Sequence, residues 1–285
     1  MTMISFAQNY ESEWVGASSG ALVNINKLMN CRSLTKPVLS STNKDDEFYI
    51  GVDVARSQNT SNNQSFISVV KVNRTKDKSK IVSLDLVNLI NIPNILNFTA
   101  QACTIKKYRK MYNAKAVVVD GNGLGAGLID ELLKESFDPV TKESLGCWDT
   151  INDDNEPEVP DIAEKILYNL KAQSAQSKIV TNFIDVVDSG KFRMLETKKQ
   201  SDFTELEYED FDNCVAPYLQ TDCLFEEIAN LKLKHLNNGG VTIEKVVSKL
   251  DKDRVSATIY VLWLINEFYR DIYSQSEYEY TCLVN

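Results

Sequence analysis

The stretch FYIGVDVARS, residues 48–57, decides how the rest of the chain is read. It is short, apolar and β-branched up to Val54, and a polar segment, ARSQNTSNNQ (55–64), follows it. That pattern is a core strand ending in a loop. Asp53 stands inside this strand, where a carboxylate is costly to ionise without a partner. Two more strand-like runs follow, SFISVVKVN (65–73) and SKIVSLDLVNLI (79–90), joined by a turn that suits an antiparallel hairpin. AKAVVVD (114–120) is a fourth, fully buried strand. It also ends on an aspartate, Asp120, and runs into the glycine-rich turn GNGLGAG and the helix LIDELLKES.

Helical spacing of Ile95, Phe98, Ala102, Ile105 and Tyr108 predicts a helix over 94–112. AEKILYNLKAQ (163–173), KIVTNFIDVVDSGKFRML (178–195) and residues 216–236 also read as helical, and VTIEKVVSKL as strand-like. Val255, Ile259, Leu262, Ile265 and Tyr269 predict a long buried helix, with Asp251 and Asp253 just before it. The order predicts an α/β protein: a mixed central sheet, its first three strands antiparallel and the next parallel, flanked by helices. Residues 1–46 read as a lead-in segment, 47–272 as the main domain with acidic loop insertions at 136–162 and 196–212, and 273–285 as a mobile tail.

Composition narrows the function. The chain has 285 residues, 43% hydrophobic and 25% charged, enough for one substantial core. No run is long and apolar enough for a membrane helix, so no membrane partner is expected. The six cysteines form no CxxC pair and His235 is the single histidine, which rules out a zinc site of the usual spacing and reads as buried reduced thiols. A net charge of −9 argues against a broad basic face for nucleic acid. A carboxylate cluster that holds divalent metal remains compatible with it.

Singly, Asp53 reads equally well as a loop cap, while Asp120 reads better as a turn former and Asp253 better as a helix cap. Taken together they suggest a cage. Two carboxylates on neighbouring strands repel each other, a cation relieves that repulsion, and oxygen-only ligation favours Mg²⁺ or Mn²⁺. Two such ions about 3.5–4 Å apart can drive phosphodiester hydrolysis. Lys106, Lys107, Arg109 and Lys110 form a basic cluster that could meet DNA phosphates or simply be a solvated helix face. Lys191, Arg193, Lys198 and Lys199 form another, and Lys252 and Arg254 flank the third aspartate. Arg254 could steady a phosphate or pair with Asp251 or Asp253.

FYIGVDVARS, KAVVVDGNGLGAGLIDEL and LDKDRVSATIYVL together resemble the three-motif signature of the nuclease module of viral, phage-type large terminases. The resemblance runs over roughly residues 5–270 and includes the lead-in FAQNYESEWVGASSGALVNINKL, which is similar to the joint between ATPase and nuclease modules. It implies a ribonuclease H-like fold and a two-metal endonuclease that cuts double-stranded DNA with little sequence preference during genome packaging. Asp53, Asp120 and Asp253 would be catalytic and metal-binding. Asp251 is the alternative third ligand, and Lys106, Lys107, Arg109 and Arg254 would contact DNA. Nothing fits the G-x-x-x-x-G-K-[ST] phosphate cradle of a packaging motor. The resemblance therefore implies a separate ATPase, a portal or a small terminase subunit as partner, in the cytoplasm of an infected host cell. A non-catalytic packaging module and an actin-like ATPase are the competing expectations.

Overall fold

A computed structural model describes residues 20–282 except 56–63, 94, 153–159, 161 and 238, with side chains described as far as residue 269. The central sheet is assembled from strands β1 (Arg32–Leu34), β2 (Phe48–Asp53), β3 (Ser65–Arg74), β4 (Ile81–Ile92), β5 (Ala116–Asp120), β8 (Trp148–Thr150), β9 (Glu164–Leu170) and β10 (Phe192–Leu195). Their spatial order is β1-β10-β4-β3-β2-β5-β9-β8. β2, β3 and β4 form the antiparallel meander, and β5, β9 and β8 continue in parallel from β2. The expected mixed α/β sheet is therefore what the chain builds.

Helices cover both faces. Phe48, Ile50 and Val52 of β2 and Val117 and Val119 of β5 face α2 (Phe98–Tyr112) and α3 (Leu124–Leu133). Tyr49 of β2 and Ala116 and Val118 of β5 face the other layer. That layer holds α1 (Ile25–Asn30), α4 (Ala172–Asp188), α7 (Ala216–Ala229) and α8 (Asp253–Cys282). Burial on both faces explains why these strands read as unbroken apolar runs.

Several segments differ from the sequence reading. Most of residues 163–173 is not helical: Glu164–Leu170 is strand β9, and only Ala172 and Gln173 belong to a helix, the start of α4. Ile166, Leu167 and Leu170 fit helical spacing as well as strand, and only the open sheet edge beside β5 decides between them. The helix expected over 178–195 stops at Asp188. Gly190, with φ +69°, turns the chain so that Phe192–Leu195 enters the sheet between β1 and β4. Residues 216–236 likewise split into α7 and strand β11 (Leu231–His235), which pairs with β12 (Val241–Lys245). The acidic stretch 136–162 contains β6 (Ser136–Phe137), β7 (Ser144–Gly146) and the edge strand β8, and α5 (Glu205–Glu209) and the start of α6 (Phe211–Cys214) fall in 196–212. Ile95 lies outside α2 and is 84% exposed; the helix starts later, where the Asn97 side chain accepts from the Ala100 N–H at 2.9 Å. Part of the lead-in joins the main sheet through β1. α8 continues to Cys282, through the stretch read as a tail.

Five cysteines among the described residues are free thiols. Cys31 and Cys147 are buried as expected; Cys103, Cys214 and Cys223 are half-buried. Cys282 lies outside the described side chains.

Candidate active site

Register places two of the three aspartates side by side. Val52 of β2 pairs with Val119 of β5 in parallel, so Asp53 and Asp120 occupy the next position on each strand. Alternation sends both toward the α8 face, with Tyr49, Gly51, Ala116 and Val118. The third, Asp253, opens α8.

Gly51 is what lets α8 come close. A Cβ there would stand 2.1 Å from the Ala257 carbonyl oxygen and 2.9 Å from Val261 Cβ. The glycine of the first motif and the alanine of the third are thus the two sides of one strand–helix contact, which brings the start of α8 to the end of β2. Gly125 does the equivalent for α3, since a Cβ there would collide with the Asp120 carbonyl oxygen.

Asp120 is firmly held. Its Oδ1 accepts from the Asn122 backbone N–H at 3.1 Å, the Asn122 carboxamide at 2.7 Å and the Ala172 N–H at 3.3 Å, the last at the start of α4. Asp253 Oδ2 accepts from the Gln64 N–H at 2.9 Å.

Burial pushes the Asp53 carboxyl up to about 7. The Asp253 and Asp120 charges push the same way, against Lys252 and the Ser256 hydroxyl. Asp253 is also raised, by burial and then by Asp251, against the Gln64 hydrogen bond. Tyr260 is raised by burial and by the Asp53 and Asp120 charges, with the Ser256 hydroxyl opposing. Asp53 therefore feels Asp253 directly, whereas Asp251 acts on Asp253. The donor set is all oxygen and its charges oppose one another, which suits a hard divalent cation. Among the described residues, no three Cys, His, Asp or Glu side chains converge closely enough to hold one ion as they stand.

The fold of this site has solved counterparts. The large terminase nuclease of thermophilic phage G20c with bound magnesium aligns over 86% of this chain and 97% of its own, at 14% identity and a TM-score of 0.51. The chain has the fold of a large-terminase nuclease. The cobalt-bound form of the same phage protein aligns over 86% and 97%, at 12% identity and a TM-score of 0.51. The nuclease domain of Thermus phage P74-26 aligns over 85% and 93%, at 13% identity and a TM-score of 0.47. No family model matches the sequence. No curated protein matches it either.

Within this terminase-nuclease fold the expected DNA contacts fare differently from the aspartates. Lys106 is 1% exposed; its Nζ donates to the carbonyls of Lys134 (2.6 Å) and Gly146 (2.7 Å) and lies over the Trp148 ring. It pins α2 to the β6–β7 hairpin and cannot reach a phosphate. Lys107 pairs with Asp138 at 2.9 Å and Arg109 with Glu164 at 2.6 Å. Arg254 pairs with neither Asp251 nor Asp253. It donates to Glu227 and Gln220 of α7 and stacks 4.3 Å from the Phe66 ring centroid, so it anchors α8. Arg193 is held by Asp85. Arg56, beside the first motif, lies outside the described residues.

Sequence reading missed Ser256, Tyr260, Asn122 as a hydrogen-bond donor, and Glu227. Ser256 and Tyr260 were accessible: three and seven residues after Asp253, they fall on the same helical face.

Proposed function

We propose that this chain is a divalent-metal-dependent endonuclease that cuts double-stranded DNA, with little sequence preference, during viral genome packaging. One observation carries the reading. Asp53, Asp120 and the α8 N-terminus come from three separate elements to one end of the sheet, where Asp53 is opposed by the charges of both other aspartates. Mg²⁺ or Mn²⁺, as one ion or two, would be held by Asp53, Asp120 and Asp253. Asp253 is preferred to Asp251 because it is the one that acts on Asp53. When bound, such ions supply positive charge for the phosphate and activate the attacking water.

The chain's own residues fix the cage. Asn122 and the Ala172 N–H hold Asp120 in one orientation. Ser256 and Tyr260 bring polar hydroxyls from α8 to the neighbourhood of Asp53 and Asp120. Lys252 adds a positive charge near Asp53 and Asp253. The proposed partners are double-stranded DNA and a packaging assembly that supplies ATP-driven motion, a portal or a small terminase subunit. The proposed place of action is the cytoplasm of an infected host cell. Among the described residues no helix is long and apolar enough to cross a membrane.

Plasmid nicking with Mg²⁺, Mn²⁺ or EDTA tests the reading, with wild type beside Asp53→Ala and Asp120→Ala. Nicking is expected in either metal and lost in EDTA and in both variants, with circular dichroism unchanged. Persistent cutting by a folded Asp120→Ala protein sinks the assignment. A non-catalytic packaging module is the second reading, favoured by the lack, among the described residues, of a converged three-ligand group and by the internal pairing of Lys107 and Arg109. It predicts no nicking in any metal.

A further inference from the structure

The β2–β3 ladder ends where Asp53 faces Phe66. Just beyond it, the Ser65 side chain closes the neck of the β2–β3 connection. Its Oγ accepts from the Ala55 N–H at 2.9 Å, and its own proton faces the Ala55 carbonyl oxygen at 2.9 Å and Gln101 Oε1 at 3.1 Å. Gln101 comes from α2, on the face of the sheet opposite α8. Its Nε2 donates to the Leu96 carbonyl at 3.0 Å and reaches the Ala55 carbonyl at 3.4 Å. Ser65 and Gln101 are both fully buried, so removing either side chain leaves polar groups without water to replace it.

This clasp lies between two of the three aspartates. Ala55 follows Asp53 by two residues. Gln64, the residue before Ser65, donates its backbone N–H to Asp253 Oδ2 at 2.9 Å, and its side-chain oxygen accepts from Asn91 Nδ2 of β4 at 2.9 Å. A path of short steps therefore runs from Asp53 through Ala55, Ser65 and Gln64 to Asp253. Ser68 and Thr258, hydrogen-bonded at 2.9 Å, hold α8 to β3 further along the helix. Among the described residues, it is the Gln64 N–H that reaches the Asp253 carboxylate itself. The Asp53 and Asp253 charges oppose each other, and the path is a tie that resists their separation.

We propose that Ser65, seated by Gln101, is a positioning residue that keeps Asp53 and Asp253 at the separation a shared divalent cation needs. The inference rests on the metal-dependent reading given above. Carboxylates held in place before the ion arrives need no ordering when it binds, so the clasp raises cation affinity without touching the cation.

Mn²⁺ binding to the full chain can be read from the free-ion signal in electron paramagnetic resonance, beside plasmid nicking and circular dichroism. Ser65→Ala is expected to bind Mn²⁺ severalfold more weakly and to need severalfold more Mn²⁺ for half-maximal nicking. Ser65→Thr keeps the hydroxyl and should return toward wild type, and Gln101→Met should fall between. Arg32→Met separates positioning from general loosening. It removes hydrogen bonds to Asp222 and the Leu195 carbonyl at the edge strand β1, so it should melt lower yet bind Mn²⁺ as wild type does. Wild-type Mn²⁺ affinity in a folded Ser65→Ala protein, or equal weakening in Arg32→Met, overturns the proposal. If Ser65→Ala does not fold, Gln101→Met decides, and unchanged affinity there overturns it. Asp253→Asn tells the two readings apart. Binding lost in Asp253→Asn but intact in Ser65→Ala removes the positioning role alone. A wild type that binds no Mn²⁺ at millimolar concentration removes the cation site and the positioning role together.

Discussion

Replacing Asp53 with Asn should make the metal-free protein more stable at neutral pH. In the fold this carboxyl is pushed to about 7 by burial and by Asp253 and Asp120, against an ordinary value of 3.8. The folded state therefore holds a proton that the unfolded state has released. Stability falls as pH rises between those two values, and above about 7 the loss is complete. The full displacement corresponds to ~4 kcal/mol, and partial solvent access at the strand end reduces it to about 2–4 kcal/mol. For a domain of this size that is a melting difference on the order of 5–10 °C. Asn keeps the shape and removes the charge. Thermal denaturation in EDTA should show Asp53→Asn melting above wild type at about pH 8 and converging with it at about pH 4. Millimolar Mn²⁺ should raise wild type and leave the variant nearly unmoved, because the cation does for wild type what the substitution did. Equal metal-free melting at both pH values would refute the electrostatic account of the site.

The contact between β2 and α8 gives a second test. Gly51→Ala should cost about 3 kcal/mol in urea unfolding, because its Cβ would meet the Ala257 carbonyl oxygen; an unchanged midpoint would show that α8 does not lie so close. Glu227→Gln should cost about 3–5 kcal/mol, since it leaves Arg254 charged and buried beside Phe66; a loss of DNA binding without a loss of stability would return Arg254 to the DNA-facing role. Lys106→Met should lower stability by about 2 kcal/mol by releasing two buried carbonyls, with DNA affinity in a salt titration unchanged. A salt slope reduced by about one would place Lys106 on a phosphate after all.

What the sequence disclosed and what it hid follow from the same physics. β2, β3, β4 and β5 were visible because they are buried on both faces and rich in β-branched residues. β9 is buried only from Ile166 on, Glu164–Leu170 carries apolar residues at spacings that fit either period, and its neighbour β5 is distant in sequence. β10 was hidden by its direct attachment to α4, though Gly190 marked the break. The aspartates were legible because a carboxylate inside an apolar strand is out of place. The basic residues were not, since nothing local distinguishes a lysine that will face solvent from Lys106, whose carbonyl partners come from residues 134 and 146.

The internal use of cations bears on how substrate would reach the site. Lys107, Arg109, Arg193 and Arg254 are each held by a carboxylate, Lys106 by backbone carbonyls, and the whole chain carries a net charge of −9. Phosphate contacts supply most of the affinity of any protein for duplex DNA, and these side chains cannot provide them without abandoning structural partners. A carboxylate cage adds further repulsion until cations occupy it. Capture of DNA from bulk solution is therefore the step this surface serves worst, while a duplex already held nearby by a partner needs little affinity of its own. The proposed division of labour follows: an assembly that grips and moves DNA, and a chain whose described cations are spent on holding its own fold together. On the proposed function, a surface built this way would also restrain cutting, because cleavage would depend on delivery.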